Sequence, residues 1–264
     1  MKITILGCGN MGEALAQRLS ANNQLYLYDR HIEKAKMLEQ EGFGRAAMDI
    51  KEALAHSEVL ILAVKPQNLK EAAGLIGKTL KKEQILISLL AGVSIETLKR
   101  TFSSKTIVRM MPNLALIYGE GAIGLSSDEN MLKKDKEDLN QILDSLGKLY
   151  WLPEDKINAL TALAGSGPAF FLVMIEAMVD AGIAMGLPVI EAQDLTQQML
   201  RGTLTLLEKS SKHPGELKWL IASPQGTTIS GLKRLEELAL RGGIMNTFLA
   251  AYDRANYLSK ESGK

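Results

Sequence analysis

A chain of 264 residues is long enough for two domains, each with a substantial core. Hydrophobic residues at 46% and charged ones at 23% describe an ordinary soluble protein, and a net charge of +1 without a basic run excludes the positive face that nucleic acid requires. The single cysteine, Cys8, cannot form an internal disulfide, which points to a reducing, cytoplasmic compartment.

Lys2 to Leu6 reads as a short apolar strand, and its start at residue 2 leaves no room for a signal peptide. Gly7, Gly9 and Gly12 then spell G-x-G-x-x-G, while Asn10 and Met11 lead into a helix ending near Ser20. The first glycine makes a tight turn, the second lets backbone approach a pyrophosphate, and the third lets helix pack on strand; the phosphates face helix amides that lack partners. With a second strand further on, this is the start of a Rossmann dinucleotide-binding domain. Cys8 inside the loop reads as a small residue under close-packed backbone rather than a redox centre.

Gln24 to Tyr28 forms the second strand, and Asp29 falls where an acid would grasp an adenosine ribose. An acid there favours NAD, whereas the adjacent Arg30 can pair with the 2′-phosphate of NADP, so the pair leaves NADP(H) and NAD(H) both open. The alternative role for Asp29 is to cap the helix from about His31 to Glu41. A strand near Arg45 to Ala47 and a helix from about Asp49 to Ala55 follow, then Val59 to Val64, apolar on both faces like a central parallel strand. It ends in Lys65, and Pro66 starts a helix running to about Thr79. Strands Ile85 to Leu90 and Thr106 to Met110 end in Ala91–Gly92 and Pro112–Asn113. Ligands of open parallel sheets bind at the carboxyl ends of the strands, so these ends form the expected nicotinamide rim. Lys65 there reads as a ribose or phosphate contact, the alternative being a solvated lysine at the strand end. Ala122 to Ser127, a charged helix from about Asp128 to Gly147, and Leu149 to Leu152 close the sheet.

From Pro153 the periodicity is helical to the end, dividing the chain into a dinucleotide-binding domain, 1–152, and an all-helical domain, 153–264. The predicted helices are Asp155 to Leu163, Pro168 to Met185, Pro188 to Glu208, Pro214 to Ile221, Thr228 to Leu240 and Ile244 to Leu258. Ile157 to Ile175 carries no formal charge and has the length of a membrane span, but Gly165, Ser166, Gly167 and Pro168 interrupt it. Two buried helices joined by a sharp turn, and no membrane, are expected. Pro168 to Met185 is apolar around most of its circumference, and six helices in about 110 residues struggle to enclose it. Burial against a second copy in an obligate dimer follows.

Ile221 to Ser230, reading IASPQGTTIS, joins two of these helices. Pro224 and Gly226 fix a tight loop, Thr227 or Thr228 can cap the next helix, and the amides around Gly226 form an anion-binding concavity suited to a small carboxylate. A bare capping turn explains the same spacing. His31, His56 and His213 are scattered, and no metal-ligand spacing or nucleophilic relay is present. A reductase without a histidine acid suits a cyclic imine, which protonates readily; positioning the reactants then supplies most of the rate.

The chain resembles the pyrroline-5-carboxylate reductase family over essentially its full length. The resemblance rests on GCGNMG at Gly7 to Gly12, AVKP at Ala63 to Pro66, LAG at Leu90 to Gly92 and RMMPN at Arg109 to Asn113. It continues with AGSGPAF at Ala164 to Phe170, MGLP at Met185 to Pro188, and HPGELK with ASPQGTTISGLKRLE between His213 and Glu237. It implies reduction of Δ1-pyrroline-5-carboxylate to L-proline, the last step of proline biosynthesis, with NADP(H) favoured. It also implies a Rossmann domain followed by a helical domain that interlocks two subunits, often within a decamer. Carried onto this chain, Ala63, Val64, Lys65, Ala91 and Gly92 would line the nicotinamide and its ribose. Ser223, Gly226, Thr227 and Thr228 would hold the substrate, with Thr228 hydrogen-bonding the imine as the catalytic residue.

Three departures from the family pattern are present. Gln225 stands where glycine is usual, Leu114 and Ala115 where threonine and proline are, and Trp219 where aspartate is. Gln225 crowds the carboxylate loop and Leu114 removes a hydroxyl near the nicotinamide, changes that bear on substrate size and efficiency more than on fold. Rival readings are a β-hydroxyacid dehydrogenase, a reductase of another imine, and a non-catalytic NADP-binding sensor. The first depends on a lysine that Pro168 to Met185 lacks, and the last is disfavoured by the intact glycine loop and Thr227–Thr228 turn.

Overall fold

The computed structural model describes residues 1–77, 79–128 and 131–262. Met1–Ser166 and the residues from Ala251 onward form one compact unit, and Gly167–Ala250 form a second. The chain crosses between the units at 166–167 and again at 250–251.

The first unit alternates strands and helices: β1 Lys2–Leu6, α1 Asn10–Leu19, β2 Gln24–Tyr28, α2 Ile32–Gln40, β3 Arg45–Ala46, α3 Ile50–His56, β4 Val59–Leu62, α4 Leu69–Ile76 and β5 Ile85–Ser88. After these come α5 Ile95–Thr101, β6 Thr106–Met111, β7 Gly121–Ser127, α6 Lys133–Leu143, β8 Gly147–Trp151 and α7 Ile157–Leu160. The sheet order is β3-β2-β1-β4-β5-β6-β7-β8. All pairs are parallel except β6 with β7, where Met110 lies opposite Leu125. The doubly wound, mostly parallel architecture read from the sequence is therefore present.

Every residue of β4 and β5 is buried. Alternation along β4 divides the core: Val59 and Ile61 join Ile3, Ile5, Leu27 and Ile87 on one face, while Leu60 and Leu62 join Leu6, Leu86 and Ile107 on the other. Enclosing each such side chain contributes about 1.5–3 kcal/mol. Helix α1 covers the first face through Ala14, Leu15 and Leu19, and α3 the second through Ile50, Ala53 and Leu54.

Several boundaries differ from the sequence reading. The helix expected from Asp128 to Gly147 begins at Lys133 and tightens to a 3-10 turn over Asp144–Leu146; positions 129 and 130 lie outside the described residues. The one expected from Pro66 to Thr79 opens as a 3-10 turn, Pro66–Asn68, before α4, and position 78 lies outside the described residues. Helix α5 was not anticipated; the Ser94 hydroxyl caps it by accepting from the Thr97 amide at 3.1 Å.

The sharp break expected at residues 165–168 is absent. Residues Thr161–Ser166 form a π-helical turn that runs directly into α8 Gly167–Ala184. Pro168 has no amide to offer Ala164 four residues earlier, and the Asn113 side-chain amide donates to that carbonyl instead, at 3.0 Å. Side-chain satisfaction of the freed carbonyl lets an apolar helix pass through a proline unbroken. Strand β6 also holds this segment through buried Arg109, whose Nη1 lies 2.8 Å from Glu154 Oε1; the same oxygen accepts the Ile95 amide at 2.8 Å.

The second unit contains α8, α9 Val189–Ser210, α10 Pro214–Ile221, α11 Thr227–Glu237 and the first part of α12 Leu240–Ser262. Phe170 and Phe248 meet edge to face at 5.3 Å. Helix α8 is not enclosed within one chain: Leu172 is 62% exposed and Val173 64%. Among the described residues, the helical run Glu154–Ala184 has the length and composition that crossing a membrane requires.

Candidate active site

The glycine loop is built by collision avoidance. Gly7 adopts φ +107°, its amide donates to the Tyr28 carbonyl at 2.8 Å, and a Cβ there would lie 2.8 Å from the Ala63 carbonyl oxygen. A Cβ on Gly12 would overlap the Gly7 carbonyl, so α1 can start this close to β1 only with glycine. Gly9, by contrast, faces open space. The first intrahelical bond runs from the Glu13 amide to the Gly9 carbonyl at 2.8 Å, leaving the amides of Asn10, Met11 and Gly12 without intrahelical acceptors. An open face backed by unpaired amides at a helix N-terminus fits a dinucleotide pyrophosphate.

Asp29 does more than shape the entry to α2. Its Oδ2 accepts the Cys8 amide at 2.8 Å and its Oδ1 the His31 amide at 2.9 Å, so one carboxylate ties the glycine loop to the end of β2. Cys8 lies beneath this bracket. Burial pushes its thiol up to about 12, the Asp29 carboxylate adds to the rise, and Lys34 partly opposes it. A thiol held neutral in this way is packing rather than chemistry.

A cleft of about 350 Å³ opens beside the loop. It gathers Gly7, Gly9, Asp29, Arg30, Ala63, Val64 and Lys65 of the residues singled out from sequence. Asn10, Met11 and Gly12 form the start of α1, and Ala91 and Gly92 lie in the turn after β5; none of these five lines the cleft. The cleft also contains His31, Lys34, Gln67, Asn68 and Glu71, which the sequence reading missed. Gln67 and Asn68 follow Lys65–Pro66 at a carboxyl edge already marked as ligand-facing, so that signal was present. Lys34 and Glu71 come from separate helices and carried none. Arg30 Nη1 lies 3.4 Å from Glu71 Oε2, both side chains being about half exposed.

The second candidate constellation lies in the helical unit. The Gly226 amide donates to the Ser223 carbonyl at 3.2 Å, closing a turn with Pro224 second and Gln225 third. Gln225 has φ +60°, the left-handed conformation that a type II turn normally assigns to glycine. A Cβ on Gly226 would overlap Ser223 Oγ. The expectation that Thr227 or Thr228 caps the next helix is corrected: Gly226 is the N-cap of α11, without a side-chain cap bond. The amides of Thr227, Thr228 and Ile229 are left without intrahelical acceptors, the first helical bond being Ser230 to Gly226. Both threonine hydroxyls are thereby free of the capping role. No residue of α11 is buried within the single chain, and no group of metal-binding side chains occurs among the described residues.

Residues 154–258 match the family model for pyrroline-5-carboxylate reductase dimerisation, and residues 2–92 match that for NADP oxidoreductase coenzyme F420-dependent proteins. A pyrroline-5-carboxylate reductase from Synechocystis is 34% identical, covering 99% of each chain. A solved reductase from Coxiella burnetii superposes with a TM-score of 0.87 at 30% identity, covering 97% of this chain and 98% of that one. The Plasmodium falciparum enzyme, solved with NADP bound, gives a TM-score of 0.88 at 28% identity, covering 98% of both chains. The dimerisation match accounts for the uncovered apolar face of α8: the chain assembles as a homo-oligomer. The chain belongs to the pyrroline-5-carboxylate reductase family.

Proposed function

We infer that the chain reduces Δ1-pyrroline-5-carboxylate to L-proline, with NADPH as the favoured reductant and NADH as the alternative. The observation that carries this reading is the presence, in one family member, of a cofactor cradle around Gly7–Gly12 and a separate amide-rich loop at Ser223–Thr228. Asp29 braces the cradle, Arg30 and Lys65 contact the phosphates or ribose, and Ala63, Val64, Ala91 and Gly92 border the nicotinamide end. Ser223, Gly226 and Thr227 bind the substrate carboxylate through amides and hydroxyls at the start of α11. Thr228 hydrogen-bonds the ring nitrogen and orients it. A reduced nicotinamide held by these residues would supply the hydride for the imine carbon. Protonation of the ring nitrogen makes that carbon electrophilic, so the chain's task is chiefly positioning.

Residues 1–152 serve as the dinucleotide-binding domain and 153–264 as the substrate-binding and dimerisation domain, with dimers assembling further into a decamer. The apolar run from Glu154 to Ala184 serves subunit association rather than a bilayer, and the enzyme works in the cytoplasm without nucleic acid. Steady-state consumption of NADPH and of NADH by the purified protein tests the reading, with pyrroline-5-carboxylate, a keto acid and a larger cyclic imine as substrates. Rapid turnover of pyrroline-5-carboxylate is the expected result. Turnover of the larger imine alone would transfer the activity to another substrate, and cofactor binding without turnover of any imine would mark a sensor.

A further inference from the structure

The cleft beside the glycine loop mixes cations with carboxylates, and its two acids do different work. Both oxygens of Asp29 are engaged by backbone amides, at 2.8 Å from Cys8 and 2.9 Å from His31. The residue whose position would select an unphosphorylated ribose is thus occupied as a brace. Glu71, in the first turn of α4, accepts no backbone amide among the described residues and reaches instead toward Arg30 at 3.4 Å. Lys34 lines the same wall. A dianionic 2′-phosphate entering here would be drawn by Arg30 and Lys34 and would meet a carboxylate already holding the guanidinium.

We propose that Glu71 is a specificity-determining residue of the cofactor site: its carboxylate holds Arg30 in place of a 2′-phosphate and weakens the preference for NADP(H) over NAD(H). This rests on reading the cleft as the cofactor site. Glu71 keeps Arg30 paired when the cofactor lacks the phosphate, so NAD(H) binds without leaving an uncompensated cation. NADP(H) must break the pair and then sit near a like charge. The half exposure of both partners sets the scale, since such ion pairs are modest and sensitive to salt.

Calorimetric titration of NADP+, NAD+ and 2′,5′-ADP into the full-length protein at low ionic strength tests this without catalysis. Glu71→Gln should tighten NADP+ and 2′,5′-ADP by roughly two- to fivefold and leave NAD+ within a factor of about 1.5. Glu71→Lys should tighten NADP+ further, by about tenfold, and raised salt should shrink both gains. Unchanged or weakened NADP+ binding in Glu71→Gln, or an equal gain for NAD+, would overturn the proposal. Arg30→Ala separates the two levels of argument. If it weakens NADP+ relative to NAD+ while Glu71→Gln changes nothing, only the role of Glu71 falls. If Arg30→Ala leaves that ratio untouched, the assignment of the cleft falls with it.

Discussion

Leu60, Ile61 and Leu62 of β4 are fully enclosed by their own chain, while Leu172 and Val173 of α8 stand mostly open in theirs. Among the described residues, Ala192 and Leu217 are the only buried hydrophobic side chains of the unit spanning Gly167–Ala250. The sheet-containing unit finds its core within one chain, and the helical unit leaves its apolar surface for another copy. Residues equally apolar in sequence therefore report two different partners. The two candidate constellations divide along the same line: the cleft beside the glycine loop is lined by residues that a single chain positions, whereas Ser223–Thr228 leads into a helix with no buried residue of its own.

This contrast can be broken from either side. The largest effect is expected from Leu172→Glu, since a charge buried unpaired at a subunit contact costs about 4 kcal/mol, or roughly a thousandfold in association. Sedimentation should show dissociation and turnover should collapse, while NADP+ binding persists; an unchanged oligomer would remove α8 from the interface. In the other unit, Gly12→Val drives a side chain into the Gly7 carbonyl and should weaken NADP+ by about 100-fold, read by titration, with assembly intact. Thr228→Ala should lower kcat by about 10- to 100-fold without changing NADP+ affinity, and wild-type turnover would exclude it from the proposed role. The smallest effect is expected from Gln225→Gly, which relieves a left-handed non-glycine residue. It should raise stability by about 0.5–1 kcal/mol in a denaturant titration, and a loss would show that the Gln225 side chain makes compensating contacts.

The sheet-containing region was readable because its signals are local and redundant. VLILAV at Val59 to Val64 declares a strand covered on both faces, and the glycine loop declares the turn that follows β1. Helix α5 escaped because IETLKRT is short and polar; its usable sign was Ser94, three residues before the amide it caps. The unbroken passage through Pro168 was illegible, because the Asn113 amide that satisfies Ala164 comes from 51 residues earlier in the chain. The same limit applies to the cleft. Asp29 and Arg30 were visible as neighbours of β2, but the opposition of Arg30 to Glu71 spans 41 residues and exists only after folding. In the helical unit, the excess of apolar surface was legible as an excess, which pointed to a second copy without identifying the contact.

The interrupted course of the sheet-containing unit bears on how the chain is made. Its final stretch begins at Ala251, and Asn256 and Ser259 there lie 3.0 and 3.1 Å from the Asn158 side-chain amide. During synthesis, residues 167–250 emerge before these late contributors reach Asn158.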